Sequence, residues 1–310
     1  MPNYNGVWSL STHYQNRTGW PTFVAGLALY SGGHDGARSN QIQLIDIGSG
    51  GNSTDFGDLL ATNYNPAGCG SSTRAVTAGG FTGSATDTIQ FSTFSSAGNA
   101  TDFGNLTVAR QSLAGLSNST RGIFANGYSN STGVNVIDFV TIASAGNASD
   151  FGDTTAGNEG TSGLASATRG IISLFYIEVW INYVTIASAG DAADFGNLTV
   201  ARTYGGAASS STRGLFAGGY AGPLQNTIDY ITIASTGNAS DFGDLTATKQ
   251  RAPGASNPVT AIFMGGTTGS LIKNIDKVTI ASTGNASGFG DLLVDIAYGA
   301  SSSSAHGGLA

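Results

Sequence analysis

The segment Asn238-Ala239-Ser240-Asp241-Phe242-Gly243-Asp244-Leu245 indicates the architecture of the protein, because near-copies of it occur six times along the chain. The Phe-Gly core of these copies recurs at Phe56, Phe103, Phe151, Phe195, Phe242 and Phe289. Successive copies are 44 to 48 residues apart. A period of this length indicates one supersecondary unit repeated in an array, in which each copy buries its apolar face against its neighbours.

The composition predicts β structure and excludes several classes of protein. Charged residues make up 10% of the chain, against about 25% in an average domain, while 47 of the 310 residues are Gly. Gly, Asn, Asp and Ser favour tight turns, and Thr, Val, Ile, Tyr and Phe favour strands. A net charge of −7 provides no basic surface, so no nucleic-acid partner is predicted. The single cysteine, Cys69, excludes an intrachain disulfide and a cysteine-rich metal site.

No targeting or membrane segment is predicted. The stretch 1–6 has neither the basic region nor the apolar core of a signal peptide. The longest apolar stretch, 170–186, contains Glu178 and Asn182, which makes it too polar and too short for a membrane span. We therefore expect a protein made in the cytoplasm of a host cell, without membrane insertion.

The fifth copy shows the strand pattern of the repeat most clearly. A run of small residues, 205–210, precedes a turn and a second strand over 214–220 that ends in Gly-Gly-Tyr. A loop leads to a third strand over 226–235, and the Asp-Phe-Gly-Asp-Leu phrase forms the fourth. Four short strands joined by turn residues predict an antiparallel meander.

The third strand favours a propeller blade. Ile228, Tyr230 and Thr232 share one face, while Ile231 and Ile233 share the other. Apolar residues on both faces indicate a sheet packed on both sides, as when blades stack around an axis. The small residues of the first strand suit a position beside a crowded central channel. An open β-solenoid is the alternative, but it favours a repeat shorter than this one. The sequence predicts an all-β fold, a six-bladed β-propeller of four-stranded antiparallel blades.

A Gly-Gly-Tyr strand end, an Ile-Asp-Tyr strand and a closing aromatic strand followed by Arg resemble the Kelch repeat. The double glycine stands at Gly32-Gly33, Gly79-Gly80, Gly218-Gly219 and Gly265-Gly266, and is replaced by Asn126-Gly127 in the third copy. The last strand has Phe where Kelch repeats usually have Trp. The resemblance covers residues 20–310, which we take as the propeller domain, and residues 1–19 form a separate N-terminal arm. It implies a Kelch-like architecture and little about activity.

Two segments compete to complete the first blade. Residues 20–25 occupy the register of its first strand, yet 298–307 near the C-terminus repeats the same strand. The C-terminal segment matches the repeat better than Pro21-Thr22-Phe23, so we expect it to close the ring.

Two catalytic motifs are weighed against the repeat. Asp-Phe-Gly is the magnesium-binding element of protein kinases, but no Gly-rich loop or catalytic-loop motif accompanies its five occurrences. The structural interpretation is that Phe packs between blades while Asp and Gly shape the entry to the strand. Asp-x-Gly is also similar to part of the Asp-box of six-bladed sialidases, although the Ser and the trailing aromatic residue are missing. Glu159 and Glu178 are the only glutamates, and glycosidases need a placed pair of carboxylates. No catalytic residue is predicted.

Metal, cofactor and glycan sites receive little support. The Asn-Ala-Ser/Thr sequons at Asn99, Asn147, Asn238 and Asn285 are interpreted as strand ends in which Asn and Ser bond to the backbone. Oxygen ligands at Asn238, Asp241 and Asp244 allow calcium, but their spacing matches no EF-hand loop. The three histidines His13, His34 and His306 are scattered. We predict no metal site and no cofactor, and the calcium question stays open.

Arginines recur at two positions of the repeat. Arg74, Arg121, Arg169 and Arg213 lie in the first turn, where they form a partial ring near the strand-entry Asp residues. This ring is either a set of solvated or ion-paired turns or a ligand site. Arg110, Arg202, Lys249 and Arg251 follow the fourth strands and are expected to decorate the opposite face.

The fourth copy departs from the pattern and is a candidate interface. Its double glycine becomes Leu174-Phe175, its loop shrinks, and Val179-Trp180 follows. Large apolar side chains at a position that is small elsewhere indicate either an added contact with a partner or a repacked core.

The N-terminal arm suggests a biological setting for the protein. The stretch 6–15 followed by Trp20-Pro21 resembles a short segment near the start of many repeat-containing structural proteins of tailed bacteriophages. Its aromatic residues Trp8, Tyr14 and Trp20 are predicted to anchor the arm on the propeller or on a neighbouring subunit.

These observations lead to a functional hypothesis. The protein is predicted to be a non-enzymatic virion component, a propeller of the tail, a fibre or a surface decoration. Its partners would be other virion proteins in a multi-subunit assembly and host-surface glycans. The loop-tip residues predicted to contact the host are His34, Phe81, Tyr128 and Tyr220. The alternatives are a sialidase-like or polysaccharide-cleaving propeller enzyme and an intracellular Kelch-type interaction module.

Overall fold

Each repeat folds into a four-stranded antiparallel sheet, and six such sheets form a closed ring in the computed structural model, which describes residues 26–174 and 179–309. The innermost strands of neighbouring blades contact one another all the way around a central channel. The predicted all-β, six-bladed propeller is therefore confirmed.

The strands follow the order of the sequence in five of the six blades. Blade 1 contains β1 (Leu27–His34), β2 (Arg38–Asp46) and β3 (Thr54–Asp58). Blade 2 contains β4 (Ala67–Gly70), β5 (Arg74–Ala78), β6 (Thr88–Thr93) and β7 (Thr101–Asn105). Blade 3 contains β8 (Ala114–Ser117), β9 (Arg121–Ala125), β12 (Val136–Thr141) and β13 (Ser149–Asp153), with a small hairpin of β10 (Tyr128–Ser129) and β11 (Thr132–Gly133).

The remaining blades repeat this pattern. Blade 4 contains β14 (Ser162–Ala165), β15 (Arg169–Ser173), β16 (Trp180–Thr185) and β17 (Ala193–Asn197). Blade 5 contains β18 (Gly206–Ser209), β19 (Arg213–Tyr220), β20 (Leu224–Thr232) and β21 (Ser240–Asp244). Blade 6 contains β22 (Gly254–Ser256), β23 (Thr260–Met264), β24 (Asn274–Thr279) and β25 (Ser287–Asp291). The last strand is β26 (Ala300–Ser303), and a 3-10 helix follows at Gly307–Leu309. No helix of the described residues is long and apolar enough to cross a membrane.

The C-terminal strand completes blade 1. β26 pairs antiparallel with β1, from Ala28 opposite Ser303 to Ser31 opposite Ala300, and gives the sheet order β26-β1-β2-β3. The expectation that the C-terminal segment closes the ring is confirmed. The competing segment 20–25 and the arm 1–19 lie outside the described residues.

The two faces of the ring carry different connections. We call the upper face the one with the loops between second and third strands, such as 79–87, and the connections from each blade to the next, such as 106–113. The lower face carries the turns between first and second strands, such as 71–73. β1 begins at the lower face and β26 ends there, so both ends of the described chain lie on that face.

The motif phenylalanines pack between blades, as predicted. The described residues form six apolar clusters, one between each pair of neighbouring blades, and every cluster includes a motif Phe. Phe103 of blade 2, for example, packs with Val76 of its own blade and Phe124 of blade 3. An aromatic residue on each outer strand therefore joins one repeat to the next.

The glycine and the asparagine of the motif also hold neighbouring blades together. Gly104 has φ 147°, and a Cβ there would collide with the carbonyl of Gly146 in the turn of blade 3. Gly146 donates its N–H to the Phe103 carbonyl at 2.7 Å, and the Asn147 side chain accepts the Asn105 N–H at 3.1 Å. The sequon residues Asn99, Asn238 and Asn285 accept the same bond from the preceding blade. The structural interpretation of these asparagines is confirmed, and their bond crosses the interface between blades.

The first-turn arginines have a structural role that neither sequence interpretation described. Arg213 Cζ lies 4.5 Å from the ring centroid of Tyr230 in its own blade. Its Nη1 donates to the Ile280 and Ala281 carbonyls of the next blade at 3.0 and 2.9 Å. Equivalent ring stacks and carbonyl bonds occur at Arg74, Arg121 and Arg169. These side chains connect blades, and no ion pair forms with the strand-entry Asp residues of the described chain.

The C-terminal residues close the lower end of the channel. The backbone of Gly307 and Gly308 lies so near the carbonyls of Ser210 and Ser117 that a Cβ at either glycine would collide with them. His306 Nε2 lies 3.0 Å from the Gly70 carbonyl and 3.2 Å from Ser117 Oγ. Burial lowers the pKa of His306, and the bond with the Gly70 carbonyl opposes this effect.

The depressed pKa of His306 predicts a pH-dependent stability. The unfolded chain binds a proton on this histidine near its ordinary pKa of 6.5, while the folded chain keeps it neutral to a lower pH. Acidification from about pH 7.5 to about pH 5 should therefore favour unfolding. We expect His306→Gln to show a weaker decline in the denaturation midpoint over this range. Parallel declines in the two proteins would contradict the assignment.

Candidate functional site

The connections from each outer strand to the next blade contain a ring of six equivalent residues with different side chains. Each lies nine positions after the motif Phe. Their φ angles are all positive, between 55° and 67°. Each donates its backbone N–H to the carbonyl of the preceding member at 2.7 to 3.4 Å, which makes a closed circle at the upper mouth of the channel. We call this set the mouth ring: Asn65, Ser112, Gly160, Tyr204, Arg251 and Tyr298.

The backbone conformation of the mouth ring disfavours large side chains. The left-handed region costs a residue with a Cβ about 1–2 kcal/mol, and glycine avoids this cost. Only Gly160 of the six is a glycine, while Tyr204 and Tyr298 are bulky. Strained residues of this kind cluster at ligand sites, which marks the mouth ring as a candidate site.

Arg251 holds the centre of the candidate site. Its Cζ lies 3.4 Å from the ring centroid of Tyr204 and 4.2 Å from that of Tyr298. Its Nη1 donates to Asn65 Oδ1 at 3.1 Å, across the mouth ring. Its Nε is buried and has no hydrogen-bond partner among the described residues. The cation–π contacts fix the guanidinium between two aromatic side chains.

Tyr204 links Arg251 to a carboxylate. Burial raises the pKa of the Tyr204 hydroxyl. The nearby positive charge of Arg251 lowers this pKa, and the negative charge of Glu159 raises it further. The hydroxyl therefore stays protonated and carries hydrogen bonds on both sides. Glu159 precedes Gly160 of the mouth ring, so the polar network runs over three blades.

Further aromatic side chains extend from the mouth ring across blades 1 and 2. The Tyr298 ring lies 6.0 Å from the His34 ring and 5.9 Å from the Tyr64 ring. The Tyr64 ring lies 5.3 Å from the Phe81 ring, and Arg38 Cζ lies 5.9 Å from Phe81. We call this continuous set the aromatic track: Tyr204, Tyr298, His34, Tyr64 and Phe81.

The predicted host-contact residues all lie on the upper face, but the structure brings only two of them together. His34 and Phe81 belong to the aromatic track. Tyr128 pairs with Gln111 on blade 3, and Tyr220 is 47% exposed beside Thr203 on blade 5. Their contact with a host stays a prediction.

None of the six mouth-ring residues was predicted as a site residue, and only His34 and Phe81 of the aromatic track were, although a signal was present. Tyr64, Tyr204 and Tyr298 were not selected, and Arg251 was grouped with cations of a different position. The position nine residues after the motif Phe changes its residue type in nearly every copy. In a repeat protein, such a position carries individual side chains that the blade itself does not need.

Three of the cations expected to decorate the surface are buried instead. Arg110 pairs with Asp138 at 2.8 Å, Arg202 with Asp229 at 3.1 Å and Lys249 with Asp276 at 3.2 Å, and all six side chains are fully buried. Burial lowers the pKa of each cation, and the paired aspartate opposes this. The surface prediction was wrong because each of these cations turns into the interface with the next blade. Arg251 differs, since it lines the channel mouth.

The interface candidates of blade 4 differ in their burial. Leu174 is fully buried in the cluster between blades 3 and 4, which favours the repacked-core alternative for this residue. Val179 is partly buried against the next cluster, and Trp180 is 39% exposed. Phe175, Trp8, Tyr14 and Trp20 lie outside the described residues.

The channel and the motif carboxylates show no built metal centre. The channel cavity has a volume of about 160 Å³ and is lined mainly by small residues of the first strands. Burial raises the pKa of the Cys69 thiol in this region to about 12, so it stays a thiol at neutral pH. Asn238 Oδ1 accepts the Asn197 N–H at 3.1 Å, which occupies one of the oxygens considered for calcium. No three His, Cys, Asp or Glu side chains of the described residues form a metal-binding group.

Comparison with models of protein families and with curated proteins gives no match.

Proposed function

We propose that the protein is a non-enzymatic structural component of a tailed-phage virion that binds host-surface glycans through its upper face. The aromatic track carries this proposal. Four rings contact one another on one face, those of Tyr298, His34, Tyr64 and Phe81, and the Arg251 guanidinium joins the Tyr204 ring to them. Aromatic rings next to a few polar groups are the typical lining of small-molecule sites, and the C–H faces of sugar rings pack well on such rings.

The difference between the two faces of the propeller supports an attachment role. The described chain begins at Gly26 on the lower face, while the aromatic track lies on the upper face. We propose that residues 1–19 attach the propeller to other virion proteins and that the upper face stays free for a glycan. The exposed Trp180 and the adjacent Val179 are further candidates for attachment within a multi-subunit assembly. The resemblance of the N-terminal arm to segments of phage proteins also supports a place in a virion.

Substitution in the aromatic track tests the glycan site. We expect Tyr64→Ala and Phe81→Ala each to weaken binding of the purified protein to host cells about tenfold, because each removes a stacking ring. Leu60→Ala is the matched control, since Leu60 is 53% exposed on the same face and belongs to no aromatic contact of the track. Unchanged adsorption of both track variants would refute the glycan site.

Two further measurements separate the alternatives. Mass spectrometry of purified virions tests whether the protein belongs to the particle. Release of fragments from host polysaccharide by the purified protein would instead favour the polysaccharide-cleaving propeller. Absence from the particle together with a defined partner in host lysate would favour the Kelch-type module.

A further inference from the structure

We propose that the mouth ring recognises the carboxylate of an acidic sugar through Arg251, so that the glycan bound on the upper face is a carboxylate-bearing one. This inference rests on the proposed glycan-binding function and names its ligand class. The track alone accounts for the stacking of a sugar, whereas Arg251 adds a charge that stacking does not require.

The charge of Arg251 is not neutralised in the way the other interior cations are. Arg110, Arg202 and Lys249 each have an aspartate oxygen within 3.2 Å. Arg251 forms no ion pair with any described residue: its Nη1 donates to the neutral amide of Asn65, and the carboxylate of Glu159 is linked to it through the Tyr204 hydroxyl. Its Nε is buried without a partner, as are the Nε atoms of Arg110 and Arg202, so the missing ion pair is the feature that sets Arg251 apart. A carboxylate supplied by a ligand would complete that pairing.

The surroundings of Arg251 restrict the form of that acceptor. The rings of Tyr204 and Tyr298 lie over the guanidinium and contact its carbon at 3.4 and 4.2 Å, which leaves the edge of the group for a ligand. The edge of a guanidinium presents parallel N–H donors that match the two oxygens of a carboxylate. Partial removal from water strengthens such a bond relative to an exposed pair.

The distances to the aromatic track fit a sugar acid rather than a free anion. Tyr64 and His34 lie next to Tyr298, with ring centroids 5.9 and 6.0 Å from it. A sugar ring attached directly to the carboxylate would therefore reach Tyr64 or His34, and the next ring along the glycan would reach Phe81. The site would bind one acidic sugar unit and the sugar unit next to it.

Paired titrations of the full chain test the inference. The probes are acidic oligosaccharides of two kinds, a hexuronic-acid trisaccharide and a sialylated trisaccharide, each beside a form with its carboxyls reduced to alcohols. By calorimetry we expect at least one acidic probe to bind about ten- to a hundredfold more tightly than its reduced form. Arg251→Gln should remove this difference between the acidic probe and its reduced form. Arg38→Gln, which changes an exposed arginine beside Phe81, should keep the difference.

A second variant guards against a folding defect. Arg251→Gly adopts the left-handed conformation without strain, as Gly160 does at the equivalent position, so it should fold with a similar melting temperature. It should lose the acidic preference to the same extent as Arg251→Gln. Equal affinity of the wild-type protein for acidic and reduced probes, or no measurable binding of either acidic probe, would overturn the inference. Tighter binding of a sulfated trisaccharide than of both carboxylate probes would also overturn it. Loss of host-cell adsorption in Tyr64→Ala would still support the proposed function in each of these cases.

Discussion

Asp138→Asn is expected to lower the free energy of unfolding by about 3–5 kcal/mol, because it leaves Arg110 as a buried cation without a counter-charge. The melting temperature should fall by roughly 5–8 °C, as measured by thermal denaturation. Asp138 accepts the Thr107 N–H at 3.1 Å and the Thr107 hydroxyl at 2.6 Å in addition to its bond from Arg110. The Asn182 side chain makes both corresponding bonds with Thr155 in the next interface. The substitution therefore removes the charge and preserves the other contacts.

One interface of the protein has neutral side chains at the two positions of the buried ion pair. Asn158 and Asn182 occupy the positions of Arg110 and Asp138 between blades 3 and 4. A double variant, Arg110→Met with Asp138→Asn, should recover at least half of the stability lost in the single variant, because neither charge remains buried. Lys273→Gln is the surface control, since its pair with Asp291 is 3.7 Å long and about half exposed, and it should change stability by less than about 1 kcal/mol. A single variant as stable as the wild type, or a double variant no better than the single one, would contradict this account.

Removal of residues 299–310 should abolish cooperative folding. The deletion takes away β26, which pairs with β1 over four residues and contacts the first strands of blades 2 and 6. Without β26 the ring is open and β1 presents an unpaired edge, which favours aggregation. We expect the truncated protein to elute as aggregate in size-exclusion chromatography and to lose its thermal transition.

Two controls distinguish ring closure from a general effect of truncation. Removal of residues 309–310 alone keeps β26, so this protein should remain a monomer with a melting temperature close to that of the full chain. A synthetic peptide of residues 298–308, added to the longer truncation during refolding, should restore the thermal transition by pairing with β1. A monomeric 1–298 protein that melts near the full-length temperature would show that closure by β26 is dispensable.

The sequence predicted the blade well because the information is local and repeated. The strands of the fifth copy lie where the turn residues and the alternating apolar pattern place them, and the motif Phe packs between blades as expected. Each of these features depends on residues within one period. Six repetitions of the pattern removed the ambiguity that a single copy has, including the catalytic appearance of Asp-Phe-Gly.

The buried ion pairs show why part of the interior was missed. Arg110, Arg202 and Lys249 follow outer strands and look like surface residues when one repeat is considered alone. Their partners Asp138, Asp229 and Asp276 stand in the third strand of the following repeat. Where the cation is absent, the partner position holds Gln43, Gln90 or Asn182. This correlation is present in the sequence. It becomes visible when the position after one outer strand is compared with the third strand of the following repeat.

The number of blades, the four strands of each and the packing of the motif Phe between neighbours were predictable from the sequence alone. These follow from a period of about 47 residues and from apolar patterns that a local sheet must satisfy. The contact of Asn65, Tyr204, Arg251 and Tyr298 at one mouth is visible only in the folded ring. Each of them lies in a separate repeat, so their contact arises when the closed ring brings six connections to a common axis, a constraint that no single period of the sequence contains.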